Sequence, residues 1–444
     1  MPVRCIPELP GVAFQCGSLV VPEQRDPKGN PVGGRTITLP FVILTATSAP
    51  RQPDPIVYLT DSPGITAFAG LLRVAQYMGE GSDRDVVVLE QRGAGYSNPS
   101  LTCPPPPDGD SVFATIQRCR DSLTASGADL GAYTVTASAA DYAALMAGLG
   151  VPRFNVYAKG FGVRVAAALL GDHPASIRAS VWDSPSPPNG RRWRSLNALA
   201  RLIAQCRADP ECGRGYPDLT GQFSSVVERL TRGPVEVGGR RVTADAFLAM
   251  VEGGLADQAK LAGIPAGLDA AFRGDWVTAG RRLQRGADIP EGVELARLAG
   301  PTEVGALQCS DQPIATEEGP ADIWPGPVVQ LIEARARLEV RRCALWRVPG
   351  QVRQSNPTTA GAPPILVTIG ENDPDRGPAG SAPVPRNAIL VTVPATAHGA
   401  FDQQCPRDLT RSFFAAPDAG LDLACVRRML PIRFEVTAQK KGAP

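Results

Sequence analysis

The chain has 444 residues, enough for a large α/β domain and an inserted or second domain. Its 45 basic and 44 acidic residues nearly cancel, so its charge gives no reason to expect a nucleic-acid partner or an anionic membrane surface. No apolar run approaches the roughly 20 residues of a membrane span, and the opening MPVRC has no apolar signal-peptide core. We therefore expect neither a membrane span nor a signal peptide within this chain.

The first part of the chain alternates strand and helix signals. Short apolar runs bounded by turn residues, typical of buried parallel strands, lie at 55–59, 85–91, 154–158 and 176–184. A helix is predicted over 137–150, with Ser138 as its N-cap and Gly148 and Gly150 at its end, and another over 163–174. This alternation predicts a mostly parallel, doubly wound sheet.

The pattern changes from about Pro188 to Arg347. There Ala, Leu and Arg recur at helical spacing, and PVEVGGRRVT (234–243) gives the clearest strand signal. Strand signals return at 363–373 and 387–399. The predicted organisation is a first α/β core part, a mostly helical insertion and a second α/β core part, at 1–188, 189–345 and 346–444.

The ten cysteines fall into close couples along the chain. These couples are Cys5 and Cys16, Cys103 and Cys119, Cys206 and Cys212, Cys309 and Cys343, and Cys405 and Cys425. No C-x-x-C pair occurs and the chain has two histidines, so we expect no metal site. Because cytosolic proteins rarely keep so many cysteines, disulfides in an exported protein are favoured over ten buried thiols.

The stretch VYAKGFGVR (156–164) combines the end of a predicted strand, a tight turn and the start of a predicted helix. This is the setting of the G-x-S-x-G elbow, which exposes a nucleophilic serine above an α/β-hydrolase sheet. Here Gly160 stands at the serine position and Ala158 at the position of the first glycine. Glycine reaches strained turn angles at little cost, so Gly160 suits the turn but brings no hydroxyl.

Four further stretches complete a series in chain order with this elbow. They are YLTDSPG (58–64), LEQRGAGYSNP (89–99), IGENDPDRG (369–377) and ATAHGAF (395–401). Together with FQCGSLVVP (14–22), LQCSDQ (307–312) and CALW (343–346), the series resembles the secreted bacterial tripeptidyl aminopeptidases, which are relatives of the proline iminopeptidases. The resemblance covers nearly the whole chain. It implies an α/β-hydrolase fold with an inserted, mostly helical cap domain.

The resemblance assigns roles to the residues at matching positions. Asp373 is the implied triad acid and His398 the implied general base, since a carboxylate holds the imidazole tautomer and stabilises its charged form. Asp61 and Ser62 fall in the implied oxyanion loop, and the backbone amide of Phe161 is the implied oxyanion donor.

Two further expectations depend on the resemblance. Asp311 lies in a family-like segment, where it could hold the amine of a substrate or act as a structural salt-bridge partner. Short spacing together with the resemblance implies five disulfides with nearest-neighbour connectivity, from Cys5–Cys16 to Cys405–Cys425.

Three features depart from the family pattern. Gly160 leaves no hydroxyl for a base to activate, and loss of the nucleophile costs a serine protease about 10⁶ in turnover. Thr60, Asp61 and Ser62 replace the histidine and glycines of the oxyanion loop, and the Asp61 charge opposes a developing oxyanion. Ala158 replaces the first elbow glycine.

We interpret the sequence as a secreted, periplasmic or cell-envelope α/β-hydrolase that binds a peptide or other small ligand under its cap. We expect weak or no acyl transfer, no cofactor and no nucleic-acid partner. Three alternatives stay open: base catalysis by Asp373 and His398 without an acyl-enzyme, a ligand-binding pseudoenzyme, or an active peptidase in which Gly160 is an engineered replacement of serine. Lys159 is either a desolvated nucleophile or an exposed or ion-paired side chain.

Overall fold

A computed structural model gives the architecture. It describes residues 9, 11–26, 29–61, 63–64, 66–79, 81–103, 111–186, 193–284, 309, 323–348, 362–376, 384–385 and 387–436. The strands, in chain order, are β1 (Phe14–Arg25), β2 (Pro31–Leu44), β3 (Ile56–Leu59), β4 (Val86–Leu89), β5 (Phe154–Lys159), β6 (Ile177–Asp183), β7 (Val235–Val237), β8 (Arg240–Val242), β9 (Ile365–Gly370) and β10 (Ala388–Val393).

Eight of these strands form one sheet in the order β1-β2-β4-β3-β5-β6-β9-β10. The six strands from β4 to β10 in this order run parallel, whereas β1 and β2 form an antiparallel pair that joins the sheet through β2 and β4. The predicted runs at 55–59, 85–91, 154–158 and 176–184 become β3, β4, β5 and β6. The fold-class prediction of a mostly parallel sheet is confirmed, with the β1–β2 pair as an addition that the sequence patterns did not indicate.

Helices cover both faces of the sheet, and further helices form the long segment between β6 and β9. In chain order they are α1 (Leu71–Val74), α2 (Val112–Ala125), α3 (Val135–Gly148), α4 (Gly162–Asp172), α5 (Arg194–Ala208), α6 (Pro210–Gly215), α7 (Leu219–Arg232), α8 (Ala244–Ala256), α9 (Ile264–Phe272), α10 (Trp276–Leu283), α11 (Gly326–Trp346), α12 (Gln404–Ala415) and α13 (Ala424–Arg427).

The central strands are apolar on both faces because each face is covered by helices. In β4, Val87 and Leu89 pack into the layer that holds α2, α3 and α4, whereas Val86 and Val88 pack into the layer that holds α1 and α12. Side chains alternate across a strand, so a four-residue run supplies both cores. This explains why these strands appear in the sequence as continuous apolar runs.

Between β6 and β9, helices α5 to α11 surround a core of their own and carry the small β7–β8 hairpin. Helix α7 shows the pattern: Asp218 caps it by accepting the Gly221 amide at 2.9 Å. Its buried side chains recur at helical spacing, as Leu219, Phe223, Val226, Val227 and Leu230. We call this helical insertion the cap. The boundaries predicted for it, 189 and 345, stay a prediction.

One predicted helix begins earlier than expected. Thr134, and not Ser138, is the N-cap of α3, because the Thr134 hydroxyl accepts the Ala137 amide at 3.1 Å. Ser138 is buried in the first turns of the helix, where its hydroxyl donates to the Thr134 carbonyl at 3.0 Å. The Ser138 N-cap prediction is therefore wrong.

Disulfides connect the predicted cysteine couples wherever both partners are described. They are Cys103–Cys119, Cys206–Cys212, Cys309–Cys343 and Cys405–Cys425. Cys16 is also disulfide-bonded, and Cys5 lies outside the described residues. Four of the five predicted pairs are confirmed. In the part of the chain that the structure describes, no helix is long and apolar enough to cross a membrane.

Candidate active site

The turn between β5 and α4 has the backbone of a nucleophile elbow. Gly160 lies at its tip with φ +51°, in the left-handed region that an L-residue adopts only under strain. The Gly160 amide donates to the Asp183 carbonyl at 2.9 Å. A Cβ on Gly162 would lie 2.6 Å from the Leu59 carbonyl oxygen, so this position requires glycine for the close approach of α4 to β3.

The Asp61 carboxylate occupies the space where a serine side chain would lie. A Cβ built on Gly160 would overlap Asp61 Oδ1 and would lie 3.3 Å from His398 Nε2. We call this space the nucleophile position. Asp61 Oδ2 is 3.0 Å from His398 Nε2, the distance at which a serine hydroxyl would bond to a catalytic histidine. A carboxylate from the loop after β3 therefore lies beside His398, in the space that a side chain on residue 160 would take.

His398 and Asp373 form the dyad that the sequence predicts. Asp373 follows β9 and is fully buried, and His398 follows β10. His398 Nδ1 is 3.2 Å from Asp373 Oδ1, and the Asp375 amide donates to the same oxygen at 2.8 Å. The carboxyl ends of neighbouring parallel strands meet at one sheet edge, which is why residues 25 positions apart come together.

His398 therefore lies between two carboxylates. Burial lowers its pKa, but the charges of Asp61 and Asp373 outweigh burial and raise the pKa of His398 well above its ordinary value. Burial raises the pKa of Asp373, but the charge and hydrogen bond of His398 hold it below its ordinary value. The imidazolium form, which donates from both ring nitrogens, satisfies both carboxylates.

The main chain of Asp61 is hydrogen-bonded to the predicted oxyanion donor. The Phe161 amide donates to the Asp61 carbonyl oxygen at 3.0 Å. The prediction that this amide is available to a substrate oxyanion is therefore wrong for this structure, because the loop after β3 supplies its own carbonyl to it. The side chain of residue 61 thus lies in the nucleophile position, and its backbone carbonyl accepts the hydrogen bond of the predicted oxyanion donor.

The Lys159 side chain is surrounded by the charges of three carboxylates in the structure. Burial lowers its pKa, but the carboxylates of Asp61, Asp402 and Asp183 raise the pKa of Lys159 above its ordinary value. Its ammonium lies against the backbone of Gly399, where a Cβ would overlap it. An ammonium has no free electron pair, so the nucleophile alternative for Lys159 is not supported.

Asp183 is a site residue that the sequence analysis missed. This fully buried carboxylate ends β6 and accepts the Tyr157 hydroxyl at 2.7 Å and the amides of Ala400 and Phe401 at 2.8 and 3.2 Å. Burial raises its pKa, against the lowering effect of Lys159. Asp183 thereby fixes the backbone that follows His398. The only sequence signal is an aspartate at the end of an apolar strand.

The cap contacts the loops that carry the dyad. Arg201 of α5 donates to the Asp373 carbonyl at 2.7 Å, and Arg194 pairs with the Asp375 carboxylate. Burial, together with nearby Arg376, lowers the pKa of Arg201 to about 10. Gln258 of the cap accepts the Ala397 amide at 2.8 Å and donates to the Ala395 carbonyl at 2.9 Å. The cap therefore holds the backbone on both sides of the dyad.

Asp373, Asp375 and His398 are the described residues whose arrangement comes nearest to a metal site, with potential ligand atoms within 4.8 Å of one another. His398 Nδ1 already faces Asp373 at 3.2 Å, and Arg194 pairs with Asp375. A cation would have to displace both a proton and a guanidinium, so we assign none of the three as a metal ligand. Ser62 and Asp311, both predicted site residues, lie outside the described residues.

Two family models match parts of the chain. Residues 70–201 match a family model described as alpha/beta hydrolase fold, and residues 329–425 match one described as TAP-like protein. No relative among curated proteins matches the sequence. The chain has an α/β-hydrolase fold, and residues 329–425 are similar to the TAP-like model.

Solved structures similar to the chain include a proline iminopeptidase from Mycobacterium smegmatis, at 15% identity and TM-score 0.41, covering 90% of this chain and 98% of that one. A thermophilic esterase from Thermogutta terrifontis is 14% identical with TM-score 0.40, covering 90% and 97%. An alpha/beta hydrolase fold protein from Chitinophaga pinensis is 15% identical with TM-score 0.38, covering 86% and 94%.

Proposed function

We propose that this chain is an exported α/β-hydrolase-fold protein that binds a peptide or other small ligand beneath its cap and does not carry out serine acyl transfer. The observation that carries the proposal is the Asp61 carboxylate in the nucleophile position, 3.0 Å from His398 Nε2. A hydrolase with this arrangement has kept the general base and acid of its family and has replaced the group that they activate.

Acyl transfer needs three things that this site lacks. It needs a nucleophile, and Gly160 has no side chain. It needs a neutral imidazole to accept a proton, and the two carboxylates beside His398 keep the ring protonated. It needs free oxyanion donors, and the Phe161 amide is bonded to the Asp61 carbonyl. The first loss alone is worth about 10⁶ in turnover, and one oxyanion donor a further 10²–10³ or so.

Base catalysis by Asp373 and His398 is the second candidate, and the same contacts weaken it. A general base has to be unprotonated at the working pH, with a pKa near that pH. Asp61 at 3.0 Å from Nε2 raises the pKa of His398 and also covers the nitrogen that would receive the proton. Base catalysis would therefore require Asp61 to leave the nucleophile position. An engineered replacement of serine at Gly160 alone would not account for Asp61 and Lys159, which complement each other's charge there.

Export is supported by the disulfides. Four are present in the described residues, and they lie in the core, in the cap and in the C-terminal segment. Disulfides form and persist in oxidising compartments such as the periplasm and the extracellular space. We therefore include secretion or a cell-envelope location in the proposal.

The experiment has a chemical arm and a binding arm. The wild-type protein is incubated with a fluorophosphonate and with p-nitrophenyl acetate, and we expect no covalent adduct and no hydrolysis above that of a His398→Ala control. Tri-alanine is then added, and we expect a saturable rise in melting temperature, with the peptide recovered intact. An adduct on any serine, or hydrolysis that His398→Ala abolishes, would contradict the proposal.

A further inference from the structure

Residue 61 contacts the site in the way that a bound acid would. Its carboxylate is 3.0 Å from His398 Nε2, and its main-chain carbonyl accepts the Phe161 amide at 3.0 Å. The loop after β3 thus presents one carboxylate and one carbonyl to the two groups that receive substrate atoms in an α/β-hydrolase. An external molecule with the same pair of groups would find the same partners.

The surroundings of the nucleophile position are matched to one carboxylate. His398 and Lys159 are its cationic neighbours, and Asp61 is the strongest of the charges that keep each of them protonated. The other acidic groups near these cations have partners of their own, since Asp375 pairs with Arg194 and Asp402 lies 3.7 Å from Arg73. Asp373 binds His398 Nδ1 and Asp183 binds the amides of Ala400 and Phe401. Removal of the Asp61 charge therefore leaves His398 Nε2 without its carboxylate partner and reduces the negative charge around Lys159.

Asp61 also reaches the site from the accessible side. Its side chain is 36% exposed, whereas that of Asp373 is 0% exposed and that of His398 is 15% exposed. Of these three side chains, Asp61 is therefore the most accessible to an incoming molecule. A side chain in this location can be exchanged for an external group without opening the sheet core.

We infer that the nucleophile position is a carboxylate-binding site that Asp61 fills in the absence of ligand, and that the ligand of this protein carries a carboxylate which replaces Asp61 on His398. This inference rests on the proposed function and specifies its ligand class. Asp61 is an intramolecular competitor with an effective concentration in the millimolar range or above. The wild-type protein therefore binds simple carboxylates weakly, and a variant without the competing side chain binds them at least about tenfold more tightly.

The chain has two histidines, His173 and His398, so histidine-labelled protein gives an NMR spectrum in which each ring is followed separately. In Asp61→Gly we expect the His398 signals to shift toward the neutral ring. Added acetate should return them toward the imidazolium position along a saturable curve, while chloride at equal ionic strength should not. His173, exposed at the end of α4, serves as the internal reference. Asp61→Asn is the matched control, because its amide keeps the position filled without charge.

The wild-type protein gives a test that does not depend on a folded variant. Tri-alanine with a free carboxyl terminus should raise the melting temperature, and tri-alanine amide should have at most a tenth of its affinity. Equal affinity for the acid and the amide would overturn the inference and leave ligand binding without acyl transfer intact. The inference would also be overturned by a folded Asp61→Gly or Asp61→Ala protein whose His398 signals do not change when acetate is added. Fluorophosphonate labelling of the wild type would instead overturn the proposed function.

Discussion

Gly160→Ser is the substitution that the family resemblance suggests for restoring acyl transfer, and the structure predicts that it fails alone. The new Cβ would overlap the Asp61 carboxylate, with Asp61 Cγ 2.7 Å away. Serine would also have to adopt the φ of +51° that Gly160 has, at a cost of about 1–3 kcal/mol. The second substitution, Asp61→Gly, removes the overlap and leaves His398 free to contact the new hydroxyl.

The size of the difference follows from the Asp61 charge. A carboxylate about 4 Å from a developing oxyanion costs about 4 kcal/mol at an effective dielectric constant of 20. That energy corresponds to about 10³ in rate. Since Asp61 also raises the pKa of His398, its removal makes the neutral base available. We expect Gly160→Ser/Asp61→Gly to react about 10²–10³ times faster than Gly160→Ser.

The assay is the rate of fluorophosphonate labelling, with hydrolysis of p-nitrophenyl acetate as the second readout. Gly160→Ala/Asp61→Gly is the matched control, because it introduces the Cβ and removes the carboxylate but supplies no hydroxyl. The label should map to residue 160 of the double variant. If Gly160→Ser alone reacts as fast as the double variant, the Asp61 carboxylate does not occupy the nucleophile position and the reasoning is refuted.

Three further predictions concern stability. The folded-state pKa of His398 lies above its unfolded value of about 6.5. The stabilising contribution of His398 should therefore be complete below about pH 6.5 and should be lost as pH rises through the folded pKa. Urea unfolding from about pH 6 to pH 9 should show a free energy of unfolding that falls with pH in the wild type and does not show this fall in His398→Gln. Asp183→Ala should cost about 3 kcal/mol or more in urea unfolding, because the Ala400 and Phe401 amides lose their acceptor, and a cost below 1 kcal/mol or so would contradict its role. The Cys309–Cys343 disulfide joins residues 34 positions apart, so replacing both cysteines by alanine should lower the free energy of unfolding by about 3–4 kcal/mol. An unchanged unfolding midpoint would contradict a structural role for this disulfide.

The parallel part of the sheet could be predicted because its strands are buried on both faces and appear as short apolar runs. The β1–β2 pair escaped prediction because its residues are largely half-exposed and carry glycine and proline, as in PVGGRTITLPFVIL. The pair joins the sheet through β2 and β4, a non-local contact that no sequence window contains.

The Asp373–His398 dyad could be predicted because the family resemblance assigns roles to these two residues, and both follow predicted strands of the sheet. The contacts of the Asp61 side chain could not be predicted from its position in the loop. As a sequence feature it indicated repulsion of an oxyanion, whereas in the structure its carboxylate pairs with His398 and its carbonyl with Phe161. Which of these applies depends on the direction of the Asp61 side chain, and the tertiary contact with His398 gives that direction.

The most direct measurement of the central claim is the ionisation of His398 in the wild type and in Asp61→Asn, followed by NMR of histidine-labelled protein. If the Asp61 carboxylate holds the nucleophile position, the wild-type ring remains an imidazolium well above pH 6.5 or so, with both nitrogens protonated. In Asp61→Asn the His398 pKa then falls clearly below the wild-type value. Identical titrations of His398 in the two proteins, both near pH 6.5 or so, would contradict the account.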